Sequence, residues 1–239
     1  MGKRPMALGV MEHHAIPAKS KYYIKNLCDC RRNEEFMFNY EKRLQYPVNI
    51  TRCDPKAAMV IISQYGGPDG EAGAALRYLS QRYSMVDRRV MGTLTDIGTE
   101  ELGHLEIVAT IIRQLTKNLT PEEIKASGFD KYYIDHTLAI WPQAASGEPF
   151  SASQFQSTGD TITDLYEDMA AEQKARLTYD NILRIVKDPE VADPIRFLRE
   201  REIVHFQRFG ECLRRTQENL DCRNFYAFNQ QIDKKSCGK

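Results

Sequence analysis

Two short motifs in the sequence combine residue types that bind metal ions. Glu101 and His104 form a Glu-x-x-His pair, and Glu202 and His205 form a second one. On a helix, residues three positions apart lie on one face, so each pair can present a carboxylate and an imidazole to the same point. A single pair of this kind often arises by chance on a solvated helix, and its interpretation therefore depends on the residues around it.

A glutamate precedes each motif at the same distance. Glu71 lies 30 residues before Glu101, and Glu172 lies 30 residues before Glu202, so the chain contains an internal repeat of a Glu … Glu-x-x-His unit. In an antiparallel pair of helices, residues equidistant from the turn lie at the same height, which predicts turns near residues 87 and 188. An aspartate stands at both positions, where it can cap the start of a helix. The repeat and the predicted turns therefore agree.

The six side chains of the repeat would lie together inside a helical bundle. Buried ionisable groups are costly unless something neutralises them. Two divalent cations would bring four positive charges against four carboxylates, and the two imidazoles would complete the coordination. One glutamate from each of two helices plus Glu-x-x-His from each of the other two is the ligand set of the di-iron and di-manganese carboxylate bundles. The repeat predicts a dinuclear metal site, and its oxygen and imidazole ligands suit iron and manganese alike.

Helical periodicity and capping signals define the elements that must position this site. Four helical segments are predicted at about residues 54–84 (interrupted by the glycine-rich stretch 66–70), 87–117, 160–186, and from 188 or 193 to 220. Prolines and glycines between 118 and 159 break any long helix there. Two helical hairpins joined by one long crossover form the ferritin-like variant of the four-helix bundle.

The predicted organisation is all-α. A ferritin-like four-helix bundle occupies residues 53–220 and includes the crossover at 118–159, an extended N-terminal arm occupies 1–52, and a polar C-terminal tail occupies 221–239.

Composition narrows the class of protein further. The chain has 239 residues, 42% of them hydrophobic and 28% charged, and its 33 basic and 33 acidic side chains cancel. This balance argues against a disordered chain and against nucleic acid as a partner. No apolar run approaches the roughly 18 residues of a membrane span, and the N-terminal stretch is too short for a signal peptide. We therefore expect a protein of cytoplasmic origin without a membrane span.

The cysteines allow two interpretations. The six lie mostly toward the two ends and include no Cys-x-x-Cys pair, which argues against a zinc ribbon or a rubredoxin-like iron centre. They are either reduced thiols of an intracellular protein or late intermolecular cross-links through the terminal segments.

Several longer motifs resemble the manganese (non-haem) catalase family, most closely its short spore-coat branch, the CotJC-type proteins. The resemblance covers roughly residues 38–215. The motifs are Leu44-Gln-Tyr-Pro-Val48, Gln64-Tyr-Gly-Gly67, Asp96-Ile-Gly-Thr-Glu-Glu101 through His104-Leu-Glu106, Asp164-Leu-Tyr-Glu-Asp168 and Phe197-Leu-Arg-Glu-Arg-Glu-Ile-Val-His205.

The resemblance implies an activity and a role for each site residue. Such proteins disproportionate hydrogen peroxide to water and oxygen at two manganese ions, and they commonly assemble as homo-oligomers, often hexamers. The resemblance implies that Glu101 is a bridging carboxylate, that Glu71 and His104 bind one metal, and that Glu172 and His205 bind the other. It also implies that Glu202 is a nearby carboxylate that does not bind a metal, and that Tyr78 donates a hydrogen bond to a ligand carboxylate.

One position departs from the family pattern. Some of these catalases have an arginine immediately before the glutamate of the third helix, where it shapes substrate access, whereas this chain has Ala171. Arg176, one helical turn beyond Glu172, is a candidate substitute. The departure bears on the turnover rate more than on metal binding.

Two alternative functions use the same bundle. One is a di-iron oxidase or ferroxidase. The other is a structural spore-coat component whose metal site stabilises the fold, with cysteine-bearing ends that dock or cross-link neighbouring coat proteins. The resemblance places the mature protein in the spore coat.

Overall fold

A computed structural model of the protein describes residues 43–132 and 141–220. These ranges are helical with irregular connections, and neither contains a β-strand. The α-helices are α1 (Pro55–Ile61), α2 (Ser63–Gly66), α3 (Glu71–Gln81), α4 (Arg88–Thr116), α5 (Pro121–Ser127), α6 (Thr161–Ile185) and α7 (Pro189–Glu218). The all-α prediction is confirmed.

Aspartate side chains cap the starts of four helices, as the capping signals predict. Each of them accepts a hydrogen bond from a backbone N–H in the first turn, where no intrahelical partner exists. The caps are Asp54 for α1, Asp87 for α4, Asp160 for α6 and Asp188 for α7. Of the two starts predicted for the last helix, the structure has the earlier one, and Pro194 lies inside α7.

The first predicted segment is divided into three helices. α1 ends at Ile61 and α2 at Gly66, an irregular turn follows, and α3 begins at Glu71. A Cβ atom at Gly66 would lie 2.1 Å from the backbone nitrogen of Gln143, so the crossover connection passes too close for any side chain there. The glycine-rich stretch therefore forms a turn, and the crossover packs directly against it.

Contacts between helices give their relative directions. Along α7, Arg201, Arg208 and Arg215 pair in turn with residues 100, 96 and 87 of α4, so the two helices are antiparallel. The same argument makes α3 and α6 antiparallel, since Tyr78 bonds to residue 172 and Tyr179 bonds to residue 71. The predicted ferritin-like bundle is confirmed.

Two apolar clusters enclose the middle of the bundle. On α4, Ile97 belongs to one cluster and Ile107 to the other. On α7, Leu198 and Phe209 likewise belong to opposite clusters. The two Glu-x-x-His motifs lie between these positions on both helices, so water is kept from them at both ends.

Part of the predicted N-terminal arm is described and packs on the bundle. Val48 and Ile50 are buried, and their backbone is held by Gln114 of α4, which accepts from the Ile50 N–H and donates to the Val48 carbonyl. The rest of the arm, part of the crossover, the tail and the cysteines Cys28, Cys30, Cys222 and Cys237 lie outside the described residues. None of the described helices is long and apolar enough to cross a membrane.

Candidate metal centre

Four helices bring the six side chains of the repeat together. Glu71 is the first residue of α3, whereas the other five lie well within α4, α6 and α7. All six are almost completely buried, with relative exposures of 0–2%. They are Glu71, Glu101, His104, Glu172, Glu202 and His205. The structure therefore groups the same six side chains that the spacing of the repeat predicts to lie together.

Glu101 contacts both imidazoles. Its Oε2 lies 2.7 Å from Nδ1 of His104, and its Oε1 lies 2.6 Å from Nδ1 of His205. Ligand atoms of these three residues and of Glu202 all lie within 4.8 Å of one another. A carboxylate that offers one oxygen to each side has the geometry of a bridge between two ions.

The remaining carboxylates lie farther from the imidazoles. Glu71 Oε2 is 3.8 Å from Nδ1 of His104, and Glu172 Oε2 is 3.6 Å from Nδ1 of His205. Glu202 Oε1 is 4.0 Å from Nδ1 of His104. These distances associate Glu71 with one imidazole and Glu172 with the other, in the same pairs that the resemblance implies. The roles of individual residues stay predictions.

Two tyrosines hold the outer carboxylates in a crossed arrangement. Tyr78 donates its hydroxyl proton to Glu172 Oε1 over 2.5 Å, as expected for a hydrogen bond to a ligand carboxylate. Tyr179 donates in the same way to Glu71 Oε1. The sequence reasoning missed Tyr179, although it follows Glu172 by seven residues just as Tyr78 follows Glu71. The spacing was a usable signal.

The sequence reasoning also missed Glu100, which lies on the far side of both histidines. Its carboxylate oxygens are 3.1 Å from Nε2 of His205 and 3.6 Å from Nε2 of His104. Arg201 and Gln45 donate to the same carboxylate and hold it in place. Partners of this kind orient imidazoles that bind metals. Glu100 leaves both Nδ1 atoms facing the cluster.

The carboxylates of the cluster compete for protons. Burial and the negative charge of Glu101 hold the pKa of Glu71 well above its ordinary value. Burial and the charge of Glu172 do the same to the pKa of Glu202. The pKa of Glu101 is lowered instead because, despite its burial, the charges of His205 and His104 favour its ionised form.

The imidazoles respond in the opposite direction. Burial lowers their pKa values, but the charge of Glu101 together with hydrogen bonds to Glu100 and Glu101 outweighs it and raises the pKa of His104 to about 10 and that of His205 to about 12. The raised pKa values favour the protonated form of both imidazoles at neutral pH. Ligands must lose those protons before they bind a metal.

The donor atoms fit a metal ion. Glu172 Oε2 and Glu202 Oε1 are buried and have no hydrogen-bond partner in the described part of the chain. Unpaired buried carboxylate oxygens are costly, and a cation would satisfy them. The oxygen and imidazole set suits manganese or iron.

The structure does not bring Arg176 to the cluster. Its guanidinium pairs with Asp180 over 2.6 Å and bonds to Gln173, both on its own helix. Ala171 is buried. The contacts described for Arg176 therefore give no support to its predicted role as a substitute for the family arginine.

Comparison with known proteins identifies the class that this fold and site define. The model of the family described as "Manganese containing catalase" matches residues 37–237. Protein CotJC of Bacillus subtilis (strain 168) is 51% identical over 190 residues, which are 80% of this chain and all of that protein. A probable manganese catalase of Clostridium acetobutylicum is 35% identical over 191 residues, 79% of this chain and 85% of that protein.

A solved structure agrees. The crystal structure of KatB, a manganese catalase from Anabaena PCC7120, superposes with a TM-score of 0.69 at 30% identity, covering 75% of this chain and 81% of that one. The bundle and its buried carboxylate–imidazole cluster are those of a ferritin-like metalloprotein. The chain belongs to the manganese-containing catalase family, and the resemblance identified from the sequence motifs is confirmed.

Proposed function

We propose that this protein is a manganese catalase that converts hydrogen peroxide to water and oxygen at a dinuclear site. The observation that carries the proposal is the contact of one buried carboxylate, Glu101, with Nδ1 of both His104 and His205. That arrangement supports a bridge between two ions. Glu71 and His104 would hold one ion, and Glu172 and His205 would hold the other. Membership of the family supports manganese as the metal.

The two ions, when bound, would take two electrons from one peroxide molecule and return them to the next. The chain itself must handle protons, because oxidation of one peroxide releases two protons that reduction of the next consumes. Glu202 is suited to hold one of them, because burial and the charge of Glu172 raise the pKa of its carboxyl. Its Oε1 lies beside the cluster, 4.0 Å from Nδ1 of His104.

The surroundings of the cluster support redox chemistry on a small molecule. The apolar clusters above and below exclude bulk water, which strengthens electrostatic interactions inside. Tyr78 and Tyr179 keep the outer carboxylates in fixed orientations by donating to one oxygen of each. The second oxygen of each carboxylate is therefore available to bind an ion.

Metal analysis of natively purified protein is the first test. About two manganese ions per chain, together with oxygen release from peroxide that a chelator abolishes, would support the proposal. About two iron ions without oxygen release would favour the oxidase or ferroxidase alternative. Neither metal in stoichiometric amount would favour the structural role.

A substitution tests the bridge directly. Glu101→Ala should abolish tight metal loading, because it removes the one carboxylate that contacts both imidazoles through Nδ1. Glu211→Ala on the exposed face of α7 is the matched control and should load metal normally. A folded Glu101→Ala protein that still retains two ions would contradict the bridging role.

A structural role in the spore coat is the second candidate function. It is favoured by the 51% identity to Protein CotJC, which this chain covers over its entire length, and by the resemblance to the spore-coat branch. We propose that the protein is made in the cytoplasm as a homo-oligomer, by resemblance a hexamer, and joins other coat proteins. Size measurement with and without reductant tests cross-linking through the cysteines, and unchanged oligomers would count against it.

A further inference from the structure

A second group of buried polar side chains lies beside the metal centre and has no role in holding it. Arg77, Gln81 and Asp168 are buried to within 2% of complete burial, between α3 and α6. Burial raises the pKa of Asp168, and the nearby Gln81 amide and Arg77 guanidinium oppose that shift. The three side chains are therefore close neighbours.

Most of the polar atoms in this group are unpaired. Both carboxylate oxygens of Asp168, both amide atoms of Gln81 and Nη1 of Arg77 are buried without a well-aligned hydrogen-bond partner in the described part of the chain, although the Gln81 amide lies near enough to Asp168 to lower the pKa of its carboxyl. A buried polar atom that stays unsatisfied destabilises the folded protein. Native proteins usually satisfy groups of this kind with ordered water, which can donate and accept at once. Two donors facing three acceptors are suited to such a molecule.

The other nitrogens of the Arg77 guanidinium bond to the crossover. Its Nε donates to the carbonyl of Phe155 over 2.8 Å, and its Nη2 donates to that of Gln154 over 3.2 Å. Both carbonyls belong to the crossover, and Gln156 beside them is exposed. The crossover thus separates the polar group from solvent on this side.

The group is next to the centre. Gln81 follows Tyr78 by three residues and Asp168 precedes Glu172 by four, so both lie on the helical faces that carry the Tyr78–Glu172 hydrogen bond. One helical turn therefore separates the polar group from the cluster.

The internal repeat makes this group specific to one side. The two halves of the site are related by an offset of 101 residues, as Glu71 and Glu172 are. At that offset, the positions equivalent to Arg77, Gln81 and Asp168 are Thr178, Ile182 and Gly67. The Tyr179 side therefore has no counterparts of these three residues, and the buried polar side chain near its tyrosine is that of Gln64.

We propose that Arg77, Gln81 and Asp168 form a hydrated chamber that receives hydrogen peroxide on the Tyr78 side of the metal centre. The inference rests on the proposed function. Peroxide is small and neutral, and like water it donates and accepts hydrogen bonds, so it can replace the water that the unpaired atoms require. The chamber binds peroxide before it reaches the metals and takes no part in the electron transfer.

Two experiments test the chamber, and one of them does not depend on activity. A high-resolution crystal structure of the metal-loaded protein should show ordered waters bonded to Asp168 and Gln81. In kinetic assays, Asp168→Leu should raise the KM for peroxide about tenfold, with kcat and manganese content within twofold of the wild type. Asp168→Asn keeps a polar side chain of the same size and should largely restore the KM.

Controls and contrary outcomes separate the chamber from the proposed function. Thr178→Val, at the position equivalent to Arg77, is the control and should leave the KM for peroxide unchanged. If Asp168→Leu fails to fold, Gln81→Met serves as the test variant instead. Direct bonds among the three side chains with no water, or an unchanged KM in an active Asp168→Leu protein, would overturn the chamber alone. Failure of the metal-loaded wild type to release oxygen would overturn the proposed function together with the peroxide role.

Discussion

Replacing Glu100 with glutamine should weaken metal binding at both imidazoles. The carboxylate accepts from His205 Nε2 at 3.1 Å and lies 3.6 Å from His104 Nε2, so it orients two predicted ligands at once. A glutamine side chain has one acceptor oxygen, and its NH2 group would face the other imidazole N–H. Arg201 would also lose half of its two-bonded contact.

The expected size of this effect follows from the two imidazoles that Glu100 supports. Removing one orienting partner of a metal ligand typically lowers metal affinity by about 10- to 100-fold. Because Glu100 serves both rings, we expect the upper end, about 100-fold, which corresponds to about 2.8 kcal/mol in binding free energy. The fold should persist, since the apolar clusters are untouched.

The assay is a competition titration of Mn²⁺ between the protein and a fluorescent chelator at constant pH, with circular dichroism to confirm folding. Asp96→Asn is the matched control: it removes a carboxylate from the exposed side of the same helix, where Asp96 pairs with Arg208. Exposed pairs contribute about 0–1 kcal/mol, and metal affinity should not change. A Glu100→Gln protein that binds Mn²⁺ within twofold of the wild type would refute the orienting role.

Three further predictions concern stability. Tyr179→Phe should lower the free energy of unfolding by about 1–3 kcal/mol in denaturant titrations, because it leaves a buried carboxylate oxygen unpaired. Metal-free protein should melt at a lower temperature at pH 9 than at pH 6.5. The pKa values of His104 and His205 are raised to about 10 and about 12, so the stability that their charges contribute is complete below the ordinary pKa of about 6.5. That stability is lost as the pH rises toward the raised values. Gly66→Ala should lower the stability of the folded protein by about 1–3 kcal/mol, since the added Cβ would meet the crossover backbone. Gly92→Ala should raise that stability by about 0.5–1 kcal/mol in the same thermal melts, because no atom lies within 4 Å of the added Cβ.

Local signals and one repeat were sufficient to predict the long helices and the grouping of the six side chains. Asp87 and Asp188 cap helices where the symmetry of the repeat requires turns, so local chemistry and long-range spacing agree. The repeat also contains the signal for Tyr179, since a tyrosine follows each of the two outer glutamates by seven residues.

Other parts of the site depend on contacts that no local pattern encodes. Glu100 has the sequence context of an ordinary solvated residue beside Glu101, and only packing of α4 against α7 brings Arg201 onto it. Gln45 lies in the described part of the arm, 55 residues before Glu100, and donates a hydrogen bond to the same carboxylate. The chamber residues similarly come from two helices separated by the crossover, whose path no turn signal specifies.

The shared carboxylates have a consequence for the way metal enters the protein. Glu101 contacts one imidazole with each of its oxygens, and Glu100 supports both rings from behind. An ion that binds at one imidazole would therefore strip its proton and fix the carboxylates that the second ion needs. In the dinuclear site that we propose, the two positions would then fill cooperatively. A partly loaded sample would be a mixture of empty and fully occupied chains, with few chains carrying a single ion.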